Sequence, residues 1–306
     1  MTEAPGWPAL RTLFGAAWRE PCPGIGLAEG DAFDWLAKLP VASLHAIVTD
    51  PPYGLIEYEA KDHAKLRAGR GGVWRMPPAL GGAPRAPVPR FTVLSAQDRA
   101  RLDFFFRHFA ALALKVLAPG GHLIIASTPL LSSTCFAGIE AAGFEKRGEI
   151  IRLVQTLRGG DRPKGAEREF AEITVMPRAG WEPWGLFRKP LSEPTVAANL
   201  RRWGTGGLRR LSGAEPFRDV IAATPTRAAE RKIAPHPSLK PQALMRQLVR
   251  AVLPLGSGIL FDPFAGGGST LAAAAHLGYH AIGTELDPDY VAIAERGIPI
   301  LRDAVR

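Results

Sequence analysis

The stretch "ILFDPFAGGGSTLAAAAHLGYHAIGTELD", residues 259–287, decides the fold. An apolar run ends at Asp262, a glycine-rich turn follows, and the next residues predict a helix that stops at Gly278. A second apolar run ends at Glu285. Strand, glycine turn, helix and strand in this order predict a βαβ unit. The turn of such a unit lets backbone N–H groups and a helix N-terminus approach a ligand closely.

The spacing within this unit indicates the kind of ligand. Glu285 lies nineteen residues after Gly266, the distance at which nucleoside-binding folds place an acid on ribose hydroxyls. A phosphate-binding P-loop is disfavoured because "GGGST" has no Lys before the Ser. The dinucleotide fingerprint is disfavoured because its third glycine is replaced by Leu271. Phe264 suits a cationic sulfonium or an adenine face, while a tight turn with incidental acids is the structural alternative.

Outside this unit, strands and helices alternate along the chain. Further strands are predicted at residues 45–50, 121–127 and 170–176. Helices are predicted to begin at Ser95 and at Ser238, the second with Pro241 in its first turn. This alternation predicts an α/β fold with a doubly wound, mostly parallel sheet. We expect one domain over residues 1–306.

The stretch "IVTDPPYGLIEY", residues 47–58, marks a second strand end. Pro51 and Pro52 cannot continue a central strand because each lacks a backbone N–H and has a fixed φ. The strand must therefore stop at Asp50, at the sheet edge where open α/β sheets bind ligands. The alternative interpretation is a rigid turn with a solvated Asp.

The composition is that of a globular protein without a disulfide framework. The chain has 306 residues, 46% of them hydrophobic, and two cysteines, Cys22 and Cys135. Neither cysteine lies near a metal-ligand pattern, so no metal is expected. The N-terminal residues lack the basic and apolar regions of a signal peptide, and no membrane span is predicted. A reduced, cytoplasmic setting is expected.

Positive charge is concentrated in two segments. The chain has 38 Lys and Arg against 29 Asp and Glu, and residues 63–97 hold six Lys or Arg and no acid. Residues 151–235 carry sixteen basic against nine acidic side chains. A loop-like basic insertion at about 55–95, rich in Gly, Pro and Arg, and a second at 177–235, which lacks a clean period, are therefore predicted to face a polyanion. A coding bias that raises Arg throughout the chain is the alternative.

The motifs "TDPPYG", "FDPFAGGGST" and "GTELDPDY" together resemble DNA amino-methyltransferases that use S-adenosylmethionine. Because "DPPY" precedes the glycine-rich loop, the order is similar to that of the permuted β group of N6-adenine and N4-cytosine enzymes. "HPSLKPQALMRQLV" (236–249) resembles that group's segment over the methionine end, and "GDAFDWLAKLP" (30–40) its adenine-contacting strand end. The likeness covers most of the chain outside 1–20 and 55–95. It implies a Rossmann-like methyltransferase fold with circularly permuted motif order.

The resemblance assigns the chemistry to the "DPPY" corner. An exocyclic amino nitrogen is a poor nucleophile because its lone pair is delocalised into the base. The Asp50 side chain and the Pro51 carbonyl, held rigid by Pro52, would accept its two N–H groups. Tyr53 would stack on a base flipped out of the duplex.

The resemblance also implies a cofactor site for S-adenosylmethionine. Asp31 would contact the adenine and Glu285 the ribose. Lys240 would pair with the methionine carboxylate, unless it is a solvated residue in the first turn of a helix. The residues that would hold the methionine and sulfonium part are Asp262, Pro263, Phe264, Ala265, Gly266 and Gly268.

Double-stranded DNA is the implied partner of the basic segments, and a homodimer is a candidate assembly. The candidate phosphate contacts are Lys65, Arg67, Arg70, Arg75, Arg201, Arg202, Arg209 and Arg210. Asp50 favours adenine, because cytosine enzymes of this family more often have Ser there. The alternatives are N4-cytosine methylation, an RNA substrate, a non-catalytic DNA-binding scaffold and, at the level of fold, a nicotinamide-dependent dehydrogenase.

Overall fold

The computed structural model describes residues 6–52, 79–80, 83–84, 95–154 and 160–304. Its centre is a nine-stranded sheet in the order β1-β2-β11-β10-β3-β6-β8-β7-β9, and β4 and β5 form a separate pair. The strands are β1 Trp18–Cys22, β2 Ile25–Glu29, β3 Leu44–Thr49, β4 Ala79–Leu80, β5 Ala83–Pro84, β6 Leu117–Ala126, β7 Glu145–Leu153, β8 Trp181–Arg188, β9 Val220–Ala222, β10 Ile259–Asp262 and β11 His280–Glu285.

The middle of the sheet is parallel. The neighbouring strands β2, β11, β10, β3 and β6 all run in one direction, and β8 lies antiparallel between β6 and β7. Residues such as Ile47, Leu123 and Phe261 on these strands are fully buried, because parallel strands are covered on both faces. The predicted α/β fold with a mostly parallel sheet is confirmed. The permuted motif order and the single domain over 1–306 with its basic insertions stay predictions.

The helices pack against the sheet in two groups. The first contains α2, α3 and α4, and the second contains α6, α7, α8 and α9. The helices are α1 Trp7–Phe14, α2 Ala32–Lys38, α3 Ala96–Val116, α4 Ser132–Ala141, α5 Val196–Trp203, α6 Ala228–Ile233, α7 Gln242–Val252, α8 Ser269–His276 and α9 Pro288–Asp303, with a 3₁₀ turn at Gly15–Ala17. Ser95 caps α3 in a capping box with Asp98, as its position predicts. None of the helices in the described ranges is long and apolar enough to cross a bilayer.

Two local predictions were wrong. The run at 170–176 forms no strand, and its Ile173 and Val175 side chains are exposed. The sheet position beside β6 is taken by β8 instead, because strand formation depends on the neighbour available for pairing and not on the apolar run alone. Helix α7 begins at Gln242 and not at Ser238, since Pro241 has an extended backbone with ψ 138°. Pro237 and Ser238 lie in a turn, and Lys240 precedes the helix with its ammonium at the sheet edge.

Candidate active site

The site lies at the carboxyl edge of three neighbouring strands. β10 pairs with β3 on one side and with β11 on the other, all in parallel, so Asp50, Asp262 and Glu285 follow or end adjacent strands. The Thr49 hydroxyl donates a 2.7 Å hydrogen bond to Asp262 Oδ1. This hydrogen bond connects the DPP corner, formed by Asp50, Pro51 and Pro52, to the glycine-rich loop. The two elements are about two hundred residues apart in sequence.

The buried carboxyl of Asp262 accepts hydrogen bonds that order the start of the glycine-rich loop. The residue is 2% exposed, and its Oδ1 also accepts the backbone N–H of Phe264 at 3.2 Å. Burial raises the pKa of this carboxyl to about 6, although hydrogen bonds from Thr270 and Thr49 act in the opposite direction. Asp262 thus orders the turn at the cost of a buried charge at neutral pH.

The raised pKa of Asp262 predicts a pH-dependent gain in stability for Asp262→Asn. The carboxyl takes up its proton near pH 6 in the folded chain and near its ordinary value of 3.8 when unfolded. The penalty for its charge is therefore complete above pH 6, about 3 kcal/mol from the pKa difference, and is relieved as pH falls towards 4. We expect urea unfolding to show the Asn variant more stable than the wild type at pH 8, with a smaller difference at pH 5.

The exposed pair of Asp103 with Arg107 offers a matched control. Asp103→Asn also removes one carboxylate, and we expect it to change the free energy of unfolding by less than about 0.5 kcal/mol at both pH values. An Asp262→Asn variant that is less stable than the wild type at pH 8 would contradict the prediction.

The glycine-rich loop is closed by hydrogen bonds to β11. Gly266 N–H donates to Glu285 Oε2 at 2.8 Å, and Ala265 N–H donates to the carbonyl of Thr284 at 2.9 Å. The Thr284 hydroxyl in turn donates to the carbonyl of Pro263 at 2.8 Å. Glu285, predicted to hold a ribose, therefore lies against the loop and remains partly exposed.

Aromatic rings line the space beside the loop. Phe264 lies 6.3 Å from Phe105 and 5.8 Å from Phe109, measured between ring centroids. Phe33 meets Phe105 edge-on at 5.1 Å and stacks on His108 at 5.2 Å. This wall begins at the glycine-rich loop and reaches α2, the helix that follows Asp31.

Asp31 caps α2, and it lies beside Glu285 in the fold. Its Oδ1 accepts the N–H groups of Phe33 at 2.8 Å and Asp34 at 3.2 Å. Gly30 N–H donates to the carbonyl of Glu285 at 2.9 Å. The structure thus brings together the two acids predicted for the adenine and the ribose.

His236 covers the other side of the loop. A Cβ built on Gly266 would lie 3.0 Å from its ring, and the ring meets Tyr290 edge-on at 4.4 Å. Burial and, to a lesser extent, the charge of Lys240 lower the pKa of His236 to about 4, so the imidazole is neutral at pH 7. Its Nδ1 accepts the N–H of Ser238 at 3.2 Å.

Lys240 joins the DPP corner to strands β7 and β8. Its Nζ lies 2.8 Å from Asp50 Oδ2 and 2.8 Å from Glu182 Oε1 on β8. Arg152 on β7 donates to Glu182 Oε2 at 2.8 Å. Burial lowers the pKa of Lys240, but the Asp50 and Glu182 carboxylates outweigh it and the pKa is raised. Burial raises the pKa of Glu182, but Lys240 and Arg152 outweigh it and the pKa is lowered. Lys240 and Glu182 are therefore both charged at neutral pH.

Sequence reasoning missed Glu182 and Arg152. Each is a charged residue among apolar neighbours of a strand, Glu182 in "WEPWGLF" and Arg152 in "EIIRLV". Burial of such a charge costs free energy unless a partner of opposite charge lies beside it, and this pattern could have indicated the pair. The prediction for Lys240 concerned a cofactor carboxylate, whereas the structure places its ammonium on two carboxylates of the protein. Among the described residues, no group of three or more His, Cys, Asp or Glu could hold a metal ion.

The structure separates the later arginines from the site. β8 runs antiparallel to β6, so the chain leaves Arg188 at the opposite, amino edge of the parallel strands. There Arg202 pairs with Glu193, and Arg209 donates to Tyr279 just before β11. The arginines concerned are Arg201, Arg202, Arg209 and Arg210. This placement does not support phosphate contacts near the target base by these four residues.

Several predicted residues lie outside the described ranges. They are Tyr53, Lys65, Arg67, Arg70 and Arg75. Their roles stay predictions.

A mostly parallel sheet with the acidic DPP corner beside a glycine-rich loop, and an acid at the end of the next strand, is the arrangement predicted above for a Rossmann-like methyltransferase. Within the chain, residues 181–296 match the family model described as DNA methylase, of the N6 and N4 type. The predicted resemblance to N6- and N4-type DNA methyltransferases is thereby confirmed. The assignment of the chain to the permuted β group stays a prediction.

Two Type II methyltransferases are similar to this chain over most of its length. It is 23% identical over 270 residues to the Type II methyltransferase M2.DpnII of Streptococcus pneumoniae, with 88% of each protein covered. It is 25% identical over 287 residues to the Type II methyltransferase M.HindIII of Haemophilus influenzae, with 84% of this chain and 89% of that protein covered.

Solved structures share the fold. One is a putative DNA modification methylase from Thermus thermophilus complexed with S-adenosyl-L-methionine, with a TM-score of 0.56, 23% identity, and 91% of this chain and 96% of that chain covered. Another is the PvuII DNA methyltransferase, described as cytosine-N4-specific, with a TM-score of 0.59, 15% identity, and 93% and 88% covered.

Proposed function

We propose that this chain transfers a methyl group from S-adenosylmethionine to the N6 amino group of adenine in double-stranded DNA, with the target base flipped out of the helix. The observation that carries the proposal is the 2.7 Å hydrogen bond between Thr49 and Asp262. It couples the Asp50 corner to the glycine-rich loop, so that an acceptor for an amino group lies beside a loop suited to the cofactor. The names of the Type II relatives support a role in DNA methylation of the restriction–modification kind.

The described residues fit S-adenosylmethionine. Asp31 and Glu285 follow or end neighbouring strands and offer carboxylate acceptors for the adenine amino group and the ribose hydroxyls. The faces of Phe33 and Phe264 suit a purine and a sulfonium cation. The likeness to a methylase complexed with this cofactor supports the assignment. When bound, S-adenosylmethionine supplies an electrophilic methyl group.

The DPP corner acts on the nitrogen of the target base. The Asp50 carboxylate accepts one N–H of the amino group and the Pro51 carbonyl accepts the other, which favours the pyramidal nitrogen with its lone pair directed outward. Pro51 is buried and the exposed Pro52 follows it, so the backbone at this corner is restricted. Positioning of the nitrogen in line with the methyl group supplies much of the rate. Tyr53 is assigned the stacking face for the flipped base.

The second candidate is the N4 amino group of cytosine, attacked by the same machinery. The likeness to a cytosine-N4-specific methyltransferase favours it. Asp50 favours adenine, because the cytosine enzymes that this chain resembles more often have Ser at that position.

The test is a labelling experiment with tritiated S-adenosylmethionine and mixed genomic DNA. After digestion, we expect the label on N6-methyladenine. Label on N4-methylcytosine would keep the mechanism and overturn the choice of base. Label absent from DNA but present in an added RNA sample would overturn DNA as the substrate, and no label in either, with cofactor bound, would indicate a non-catalytic scaffold.

A further inference from the structure

Four largely buried charges of alternating sign run from strand β7 to the DPP corner. In order they are Arg152, Glu182, Lys240 and Asp50, and each adjacent pair is 2.8 Å apart. The side chains of Lys240 and Asp50 are 13% and 14% exposed. Such a pair interacts much more strongly than one on the surface, and removal of one member leaves an uncompensated charge.

The backbone at Lys240 is held in place independently of these charges. Lys240 N–H donates to Ser269 Oγ at 3.1 Å, and the carbonyl of Leu239 accepts the hydroxyl of Thr226. The Gln242 side chain donates to the carbonyl of Ser269 at 2.9 Å. The backbone of Lys240 is therefore fixed beside Ser269, the first residue of α8. From there its side chain extends to the carboxyl edge of the sheet.

Arg152, the member of this series of charges farthest from Asp50, is also held in place. Arg152 is 5% exposed and donates to the carbonyl of Thr224 at 3.0 Å as well as to Glu182. Arg152 and Glu182 face each other across the paired strands β7 and β8, whose register places them directly opposite. The position of Glu182 Oε1 is thus set by the sheet, and Glu182 in turn fixes where the ammonium lies.

The balance of charge bears on what Lys240 can bind. Asp50, Lys240 and Glu182 together carry one net negative charge, and Arg152 brings the set to zero. A further carboxylate would therefore meet no net positive charge at this point. The set is suited to holding Asp50 and poorly suited to holding the carboxylate of a cofactor.

We propose that Glu182 and Arg152 are positioning residues that hold Lys240 against Asp50, and that Lys240 thereby fixes the orientation and the negative charge of the carboxylate that accepts the target amino group. This inference rests on the proposed methyltransferase function. Lys240 acts on Asp50 and not on the cofactor.

The test separates binding from chemistry in Lys240→Met and Glu182→Gln. We expect cofactor affinity, measured by calorimetry with S-adenosylhomocysteine, to stay within about 2-fold of the wild type. At saturating cofactor and DNA, kcat should fall about 100-fold in Lys240→Met and about 10-fold in Glu182→Gln, because the acceptor is misplaced. Glu182→Gln keeps the shape of the side chain and carries the test if Lys240→Met does not fold.

The pH profile gives a readout that a purely structural role would not move. Four charged groups surround Asp50. Lys240 comes from the segment before α7 and Asp262 from β10, while Glu182 comes from β8 and Arg152 from β7. Loss of the Lys240 cation makes the Asp50 carboxylate easier to protonate, so the acid limb of kcat should move to higher pH in Lys240→Met.

Glu145→Gln is the matched control. Glu145 also pairs with an arginine, Arg188, across β7 and β8, with a shortest separation of 2.6 Å, but at the opposite end of the sheet. We expect its kcat and pH profile to equal those of the wild type.

Two results would overturn the inference. One is a cofactor affinity more than about 10-fold weaker in Lys240→Met with kcat preserved at saturation, which would assign Lys240 to the cofactor. The other is wild-type kcat in both folded variants. The wild type is assayed first on the same DNA, so that an inactive wild type counts against the proposed function, whereas unchanged variants of an active wild type count against the positioning role.

Discussion

Asp50→Asn should lower kcat for methyl transfer by about 1000-fold, equivalent to about 4 kcal/mol of transition-state stabilisation. The Asn side chain keeps the shape of Asp50 but lacks the charge that favours a developing positive charge on the target nitrogen. It also replaces one acceptor oxygen by a donor. The measurement is the single-turnover rate of label transfer to DNA at saturating cofactor.

The folded state should survive this substitution. Lys240 keeps its 2.8 Å contact with Glu182, so its ammonium still has a carboxylate partner, although the set with Arg152 then carries one net positive charge. We expect cofactor affinity to change by less than about 3-fold, because Asp50 touches the target base in this mechanism. Asp103→Asn on the exposed face of α3 is the control and should keep wild-type kcat. A rate for Asp50→Asn within 10-fold of the wild type would rule out the proposed role.

Gly268→Ala should abolish measurable cofactor binding and lower the free energy of unfolding by about 3 kcal/mol. Gly268 is the N-cap of α8 and has φ +82°, a conformation that L side chains rarely adopt. A Cβ there would lie 2.6 Å from Cγ1 of Ile298 in α9 and 3.3 Å from Ala294. To relieve the overlap, either the glycine-rich loop or α9 must move, and the loop is the proposed binding surface.

The same helix provides the control for Gly268→Ala. Gly278, after the end of α8, has φ +71°, but a Cβ there would meet nothing within 4 Å. Gly278→Ala should therefore cost only the backbone strain, about 1 kcal/mol, and leave cofactor affinity unchanged. Calorimetry and urea unfolding measure both quantities.

Crowding can be tested separately from strain. If Ile298 is the obstacle, Ile298→Ala combined with Gly268→Ala should cost less than the sum of the two single changes. Equal losses of stability and affinity in Gly268→Ala and Gly278→Ala would show that the close approach to Ile298 is unimportant.

Local rules were sufficient where neighbours in sequence are neighbours in space. The ends of β3, β10 and β11, the capping box at Ser95 and the glycine turn before α8 all depend on residues within a few positions of one another. Each was predicted within about two residues. The same rules failed for residues 170–176, whose apolar pattern has no strand to pair with, and for β8, which exists because β6 and β7 lie on either side of it.

The sequence by itself determined the α/β class, the two strand ends that carry Asp50 and Asp262, and the resemblance to DNA methyltransferases. The tertiary structure alone decided which charges meet. Lys240 reaches Asp50 and Glu182, and Arg201, Arg202, Arg209 and Arg210 lie at the opposite edge of the sheet. The physical reason is that strand order and direction set these distances. Residues far apart in sequence become neighbours when their strands are paired, and an antiparallel strand carries the residues that follow it away from the site.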